Sequence, residues 1–242
     1  MHIITQGVVL RSAQYSENDR MVTLLTPDRG LVEAIARGSR RPKSPLVAAV
    51  EPFCAGEYTL FAQGSRLSMQ QCRVMENFYH LRFDVDRLTA AVYVSSLCEA
   101  SAQPEEDCRS MFALLLKTLA YLENSDLPLP LLISAFEMRL MPILGYLPRM
   151  EACVLCGRPF QGGGRFDARL GGAVCPDCPS TAPEMTLEAR RIIYKAPRTD
   201  YTRVDLLEDK PAWREAARLY RPFVSERIEL PEKRIIPSPP ED

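Results

Sequence analysis

Histidine is nearly absent from this sequence, which has only His2 and His80 among its 242 residues. A histidine-based catalytic triad or a histidine-rich metal centre would need one of these two residues, and neither stands in the context of a nucleophile. The sequence also lacks the phosphate-cradling glycine-rich loop with Lys-Ser/Thr and the dinucleotide-binding fingerprint. We therefore expect that the protein is not an enzyme and takes no small-molecule substrate.

Strong net charge and long apolar runs are also missing. The net charge is −1 at pH 7, so a polyanionic partner would have to be met by a local basic patch. The sequence contains no leader pattern and no uninterrupted apolar run of about eighteen residues. These absences predict a cytoplasmic protein that is neither exported nor membrane-spanning.

Cysteine, by contrast, occurs eight times, and four of these residues form two Cys-x-x-Cys pairs. Cys153 and Cys156 make the first pair, and Cys175 and Cys178 follow after eighteen intervening residues. Each short turn aims two sulfurs at one point, so the pairs together supply the tetrahedral ligand set of one structural Zn²⁺, with no position open for substrate. The alternative is four unligated thiols that share this spacing by chance. The other cysteines show no pairing pattern and are interpreted as free thiols in a reducing cytoplasm: Cys54, Cys72, Cys98 and Cys108.

The N-terminal third of the chain has the alternating pattern of short strands. Five strands are predicted, at residues 3–11, 21–26, 31–37, 57–61 and 67–75. Between the second and third strands, the sequence from Thr26 to Gly30 is typical of a type I turn followed by a left-handed glycine, which predicts a hairpin. A closed five-stranded barrel of the OB kind would remove the exposed sheet edges, and a small β-sandwich fits the spacing nearly as well.

Helical periodicity replaces the alternating pattern after Glu76. Five helices are predicted, at residues 84–102, 108–122, 131–144, 186–194 and 211–225. The third is apolar nearly all round and is expected to be the most buried, with Pro142 kinking it or ending it early. The predicted fold class is therefore multidomain α+β. Its domains are an OB-fold domain (1–80), a helical domain in two parts (81–150 and 183–230), an inserted four-cysteine zinc module (151–182) and a disordered tail (231–242).

A basic loop follows the third strand. Arg37, Arg40, Arg41 and Lys43 lie between Glu33 and Glu51 with no acidic residue among them. Arginine forms bidentate contacts with phosphate, and a glycine and serine between the cations let the backbone approach a strand, so this loop is a candidate DNA-binding site. The alternative is a merely solvated run of charge.

Short motifs spread over residues 1 to 180 match, in order and spacing, those of a known protein family. They are Gly7–Arg11, Tyr15–Asp19, Leu24–Thr26 with Gly30 and Leu31, Ala36–Ser44, Glu51–Phe53, Phe136 with Glu137, Leu144–Tyr146 with Pro148, Phe166, Gly171 with Gly172, and the two cysteine pairs with Gly157. In these motifs the sequence resembles the RecO family of bacterial DNA repair and recombination mediators. Each match is short, but their order and spacing together are specific.

The resemblance implies an N-terminal OB fold, a central helical bundle and a zinc module docked on that bundle. It also implies a nucleoid-associated protein that binds single- and double-stranded DNA, anneals complementary strands, and works with RecR in the RecF pathway to load RecA onto DNA coated by single-strand-binding protein. The family's contact with the acidic, hydrophobic C-terminal tail of that coating protein is placed on the helical domain. Arg139 is one candidate residue, because it is one of two charges on an otherwise apolar helix, and the favoured alternative for it is an intrahelical or core pairing with a carboxylate.

One departure from the family pattern concerns the C-terminal region. Family members commonly finish the last helix with a Lys-Ser-Arg-like segment, whereas this chain has Phe223-Val-Ser-Glu-Arg-Ile-Glu-Leu-Pro and carries twelve basic and twelve acidic residues from Pro183 onward.

Two other classes of protein also fit the residues. A zinc-ribbon RNA-binding or transcription-associated OB-fold factor would share these elements. A pure protein-interaction adaptor would have no salt-dependent affinity for DNA.

Overall fold

The structure is a computed structural model, and it describes residues 1–64, 66–199 and 211–230. The chain divides into two compact units, Met1–Asn124 and Ser125–Asp242. Among the described residues, five strands and the first two α-helices belong to the first unit. The other three α-helices and a three-stranded sheet belong to the second. The predicted tail at 231–242 lies outside the described residues, and the predicted domain limits stay a prediction.

Five strands of the first unit form a closed barrel in the order β1-β2-β3-β5-β4. Their bounds are β1 His2–Gln14, β2 Arg20–Thr26, β3 Gly30–Ala36, β4 Ala55–Gln63 and β5 Arg66–Glu76. The antiparallel pairing of β1 with β4 and a short parallel pairing of β3 with β5 complete the cylinder. Closure removes the sheet edges that an open sheet would expose. The predicted five-stranded OB-like barrel is confirmed, and the β-sandwich alternative is wrong.

Tyr58 on β4 anchors the barrel interior. Its side chain is fully buried, and its hydroxyl lies 3.1 Å from the Ala49 carbonyl and 3.0 Å from the Cys54 carbonyl. The core around it is mostly aliphatic and includes residues of every strand: Val9, Val22, Leu24, Val32, Leu46, Val50, Leu60 and Met69. A buried hydroxyl needs a partner, so Tyr58 fixes the path of residues 49–54, where the chain returns from the basic loop.

The turn between β2 and β3 joins the barrel to the first two helices, α1 (Val85–Ser101) and α2 (Arg109–Asn124). The backbone of the α1–α2 connection bonds to this turn, since Leu31 donates to the Gln103 carbonyl at 3.2 Å and Cys108 donates to the Pro27 carbonyl at 2.9 Å. Gly30 has φ +59°, and a Cβ there would lie 1.8 Å from the Gln103 oxygen. Only glycine therefore allows both the hairpin and this close approach.

The second unit is built around α3 (Leu129–Ile143), which is buried over most of its surface, as the sequence predicts. Its neighbour α5 (Pro211–Ser225) supplies Trp213, whose indole donates to Ser134 at 2.9 Å. Arg221 forms an ion pair at 3.0 Å with Glu137, which has no exposed surface. A buried carboxylate is costly unless it is paired, so this contact fixes how α3 and α5 pack.

The remaining elements of the second unit are α4 (Leu187–Lys195) and the strands β6 (Gly164–Asp167), β7 (Gly172–Val174) and β8 (Glu184–Met185). The Thr186 hydroxyl caps α4 by accepting from the Ala189 amide at 3.2 Å, as its sequence position predicts. In the described part of the chain, no helix combines the length and apolar character needed to cross a bilayer.

Candidate metal centre and nucleic-acid interface

The two cysteine pairs sit on short turns at one side of the β6–β7 hairpin. The Gly157 amide donates back to the Cys153 carbonyl at 2.9 Å, the chain then leaves this turn through the left-handed Gly157 (φ +74°), and the Cys178 amide donates to the Cys175 carbonyl at 3.2 Å. Val154 donates to the Ala173 carbonyl at 2.9 Å. That bond places the first turn beside β7, so the two pairs converge although eighteen residues separate them in sequence.

The four sulfurs form a compact cluster. The Sγ atoms of Cys153, Cys156, Cys175 and Cys178 all lie within 4.8 Å of one another. The Cys156 and Cys175 sulfurs are 3.8 Å apart. In a tetrahedron with zinc–sulfur bonds of about 2.3 Å, the sulfurs are about 3.8 Å from each other. The cluster therefore fits a single tetrahedral metal ion, and the predicted grouping of these cysteines is confirmed.

Backbone amides around the cluster favour thiolates at two of the four cysteines. Burial opposes charge on Cys153, but amide hydrogen bonds from Cys156, Cys175 and Leu155 outweigh it and lower the pKa of Cys153 to about 6. The Arg158 amide and guanidinium hold the pKa of Cys156 below its ordinary value. Hydrogen bonding with Cys175 raises the pKa of Cys178 to about 12. A metal ion would displace the protons that remain, because the thiolate is the ligand.

Arg190 on α4 holds the loops around the cluster, and sequence reasoning missed it. It is only 7% exposed, and its guanidinium donates to the carbonyls of Phe160 and Gly162 at 3.0 Å and of Met150 at 2.7 Å. It also stacks on the Phe160 ring, 3.9 Å from the centroid. Burial lowers the pKa of Arg190. Its position in the helix could have indicated its role, because Arg190 lies on the same side of α4 as Ala189 and Ile193, which are buried, whereas the next residue, Arg191, is exposed.

The basic loop after β3 is anchored to the β1–β2 connection. The Gly38 amide donates to the Asp19 carboxylate at 2.8 Å, and the Arg40 amide donates to the Asn18 carbonyl at 3.1 Å. The Gly38 amide is the main cause that lowers the pKa of Asp19 from its ordinary value of 3.8, with smaller contributions from Ser16, Arg37 and Arg41. Asp19 therefore holds the loop in place and carries negative charge at neutral pH.

The four cations of the loop are exposed but not equivalent. Arg40 donates to the Glu17 carbonyl at 2.9 Å and the Ser16 carbonyl at 3.3 Å, so its guanidinium is already engaged. Arg37, Arg41 and Lys43 make no hydrogen bond or ion pair with any residue that the structure describes. These three side chains therefore keep their full hydrogen-bonding capacity for an anionic ligand.

The structure gives other sequence candidates structural contacts. His2 lies against Phe61, with ring centroids 5.2 Å apart, and the His80 amide donates to Glu123 at 2.9 Å. Arg139 donates to the Ala135 carbonyl at 2.9 Å and to the Thr199 carbonyl at 2.9 Å, which ties α3 to the segment after α4.

A closed five-stranded barrel with a basic loop, followed by helices and a four-cysteine cluster, defines a class of proteins that join an OB-like module to a metal-binding knuckle. The comparisons with known proteins identify the family within this class. Residues 1–78 match the family described as Recombination protein O N terminal, and residues 82–234 match Recombination protein O C terminal. The chain belongs to the Recombination protein O family.

Individual relatives agree. The chain is 37% identical over 178 residues to the protein named DNA repair protein RecO of Alkaliphilus metalliredigens (strain QYMF), covering 74% of this chain and 72% of that protein. It is 37% identical over 175 residues to the protein of the same name from Moorella thermoacetica, covering 72% of this chain and 65% of the relative. The corresponding Anaeromyxobacter sp. (strain K) protein is 37% identical over 182 residues, covering 73% of this chain and 70% of the relative.

Proposed function

We propose that this protein binds single- and double-stranded DNA in DNA repair and recombination through the basic loop of its barrel. The observation that carries the proposal is the arrangement of Arg37, Arg41 and Lys43, three exposed cations that make no hydrogen bond or ion pair with a described residue, on a loop anchored by Asp19. A flexible cation on a fixed backbone loses less entropy when it binds phosphate than one on a disordered segment. Arg40 contributes mainly by holding the loop to the β1–β2 connection.

Recombination mediation is the cellular task we infer. The relatives are named DNA repair protein RecO. By family resemblance, this protein anneals complementary strands and, with RecR, helps load RecA onto DNA coated by single-strand-binding protein. It does so as a binding protein and not as an enzyme. We place it in the cytoplasm, associated with the nucleoid through DNA.

The four-cysteine cluster holds one structural Zn²⁺ in this proposal. The sulfur separation of 3.8 Å and the all-thiolate ligand set support zinc, and the ion would supply the folding energy that a module with few buried apolar residues lacks. Four protein ligands complete the tetrahedron, so the ion stabilises structure and binds no substrate.

A surface after α3 is our candidate for the tail of single-strand-binding protein. Ile143, Tyr146 and Leu147 are 39%, 43% and 52% exposed, and the Arg227 guanidinium lies 5.9 Å from the Tyr146 ring centroid. Exposed apolar side chains beside a cation match an acidic, hydrophobic peptide.

In the intact protein, Leu147→Glu should weaken binding of the isolated tail peptide about tenfold or more, because a charge of the same sign as the peptide replaces an apolar contact. Val47→Glu, at a residue 43% exposed on the barrel unit, is the matched control. Equal effects of both substitutions, or no effect of either, would contradict this placement.

Strand annealing tests the main proposal directly. Two complementary oligonucleotides, with and without a coat of single-strand-binding protein, should anneal faster with the wild-type protein than without it. The loop variant Arg37→Ala/Arg41→Ala should anneal more slowly. Its control is Arg37→Lys/Arg41→Lys, which keeps the charge and should keep most of the rate. If the wild type neither binds nor anneals DNA, or binds RNA in preference to single-stranded DNA in competition, the proposal is wrong.

A further inference from the structure

The exposed face of α4 and the short 3-10 helix that follows it, Ala196–Arg198, carry a line of cations that the basic loop does not account for. Arg191, Lys195 and Arg198 are all exposed, and Tyr194 lies among them with 36% of its surface exposed. Residues three and four apart are neighbours on a helix surface, so Arg191, Tyr194 and Lys195 share one face of α4. Arg198 extends this face, because its guanidinium donates to the Tyr194 carbonyl at 2.5 Å and lies 4.5 Å from the Tyr194 ring centroid.

This face is a feature of the fold as well as of the sequence. The adjacent Arg190 is turned inward and held by backbone carbonyls, which fixes the rotation of α4 and turns Arg191 outward. Tyr194 is held in place because its hydroxyl donates to Glu151 at 3.0 Å. Tyr194 and Arg198 are therefore positioned before any ligand arrives, which lowers the entropy cost of binding.

A hollow of about 420 Å³ opens beside the line of cations. Its lining includes Glu151, Gln161, Arg191 and Tyr194, so it combines aromatic surface, an amide, a carboxylate and a cation, and it also includes Phe160, whose ring the Arg190 guanidinium covers on one face. This size and composition suit one flat, polar ring. Successive cations on the ridge with an aromatic hollow at its side are the two parts of a single-strand site, in which phosphates follow the charge and an unpaired base stacks on a ring.

We propose that the α4 face, formed by Arg191, Tyr194 and Lys195 of α4 and by Arg198 just after it, is a second contact for single-stranded DNA, with phosphates on Arg191, Lys195 and the guanidinium donors of Arg198 that Tyr194 leaves free, and a base in the hollow at Tyr194. The inference rests on the proposed DNA-binding function and adds a site in the second unit. Acidic side chains also occur here, since Glu188 lies one turn before Arg191 and Glu151 holds Tyr194. These carboxylates flank the cations, so the positive charge here is confined to Arg191, Lys195 and Arg198.

The test compares intact variants in their binding to a labelled single-stranded oligonucleotide over a series of salt concentrations. Each phosphate contact on a single strand contributes roughly 0.7 to the slope of log affinity against log salt, so Arg191→Ala/Lys195→Ala/Arg198→Ala should lower that slope by about 2 and the affinity by about tenfold or more. The matched control Arg191→Lys/Lys195→Arg/Arg198→Lys keeps every charge and should stay within about twofold of the wild type. Tyr194→Leu should weaken binding to the single strand several-fold while leaving duplex binding unchanged, since duplex bases are already stacked.

The outcomes separate this site from the proposed function. If the wild type binds DNA and Arg37→Ala/Arg41→Ala weakens binding, but the α4 triple-alanine variant keeps the wild-type slope and affinity, the α4 site is wrong and the loop proposal survives. If the triple-alanine variant and the charge-keeping variant lost the same amount of affinity for single-stranded DNA, the α4 site would also be wrong, because the loss could not come from the removed charges. If Tyr194→Leu lowered the affinity for single strands and for duplexes equally, stacking of an unpaired base in the hollow at Tyr194 would be ruled out. A wild type without salt-dependent DNA binding would overturn the proposed function and this inference together.

Discussion

The basic loop and the cysteine cluster are both functional candidates that the sequence marks, yet they are built in opposite ways. The cluster draws four like groups inward, with two of its sulfurs 3.8 Å apart and Cys153 and Cys175 buried. The loop turns like charges outward and is held to the β1–β2 connection by contacts of Asp19 and Arg40. A metal site needs its ligands to converge, whereas a phosphate site gains from separated cations that retain their water until the ligand arrives. Breaking the first should therefore damage the fold, and breaking the second should damage binding alone.

The largest effect is expected from Cys175→Ser. Removing one ligand of a closed tetrahedral site should lower zinc content from about one equivalent to less than half and unfold the module, because metal binding and folding are one equilibrium in a domain this small. Metal analysis of freshly reduced protein and limited proteolysis across residues 147–186 are the measurements. Cys72→Ser makes the same atomic change outside the cluster and should leave zinc in place. Wild-type protein with little zinc, or a mutant that retains it, would refute the assignment.

A smaller but still structural effect is expected from Arg190→Met. The substitution leaves the carbonyls of Met150, Phe160 and Gly162 without their buried donor, which should destabilise the second unit by about 3 kcal/mol. Arg191→Met, one residue further on the exposed face, should change the free energy of unfolding by less than about 0.5 kcal/mol. Denaturant unfolding of both variants makes the comparison. Similar values for the two would mean that the buried guanidinium contributes no more than the exposed one.

The loop variants should separate binding from stability. Arg37→Ala/Arg41→Ala should reduce the salt slope for single-stranded DNA by about 1.4 and weaken all sequences about equally, with the melting temperature unchanged. Replacing Arg40 together with Arg41 should also weaken binding, but part of that loss should come from a loosened loop, because Arg40 bonds to the Glu17 carbonyl. Faster amide hydrogen exchange at residues 37–44 would show a loosened loop, whereas unchanged exchange would mean that the affinity falls only because phosphate contacts are lost. An intact slope in both variants would leave the loop as solvated charge only.

The smallest effect is a pH dependence centred on Asp19. Its pKa is lowered in the folded protein, chiefly by the Gly38 amide, so the stabilisation of the loop is fully present above the ordinary value of 3.8 and is lost as the pH falls through the lower folded pKa. The Gly38 amide chemical shift should follow that titration, with a midpoint below 3.8. In Asp19→Asn this shift should not titrate. A midpoint at or above the ordinary value would show that the hydrogen bond does not hold the loop.

Local spacing along the chain determines much of this protein. A spacing of two residues between cysteines predicts a metal knuckle, and alternating or helical periodicity predicts strands and helices. The cysteine cluster, the barrel strands, the Thr186 cap and the turn at Gly30 could therefore be predicted from the sequence. These features depend on neighbours within a few residues along the chain.

Tertiary structure alone decided the features that depend on distant partners. Arg190 and Arg191 are adjacent and chemically identical, yet one is buried against carbonyls from residues 28 to 40 positions away and the other is exposed. Asp19 reaches Gly38 across nineteen residues, and this contact, with that of Arg40, decides which loop cations stay available. A sequence pattern records the charge of a side chain, but its partner is set by the packing of segments far apart in the chain, and that packing determines whether the charge supports the fold or binds a ligand.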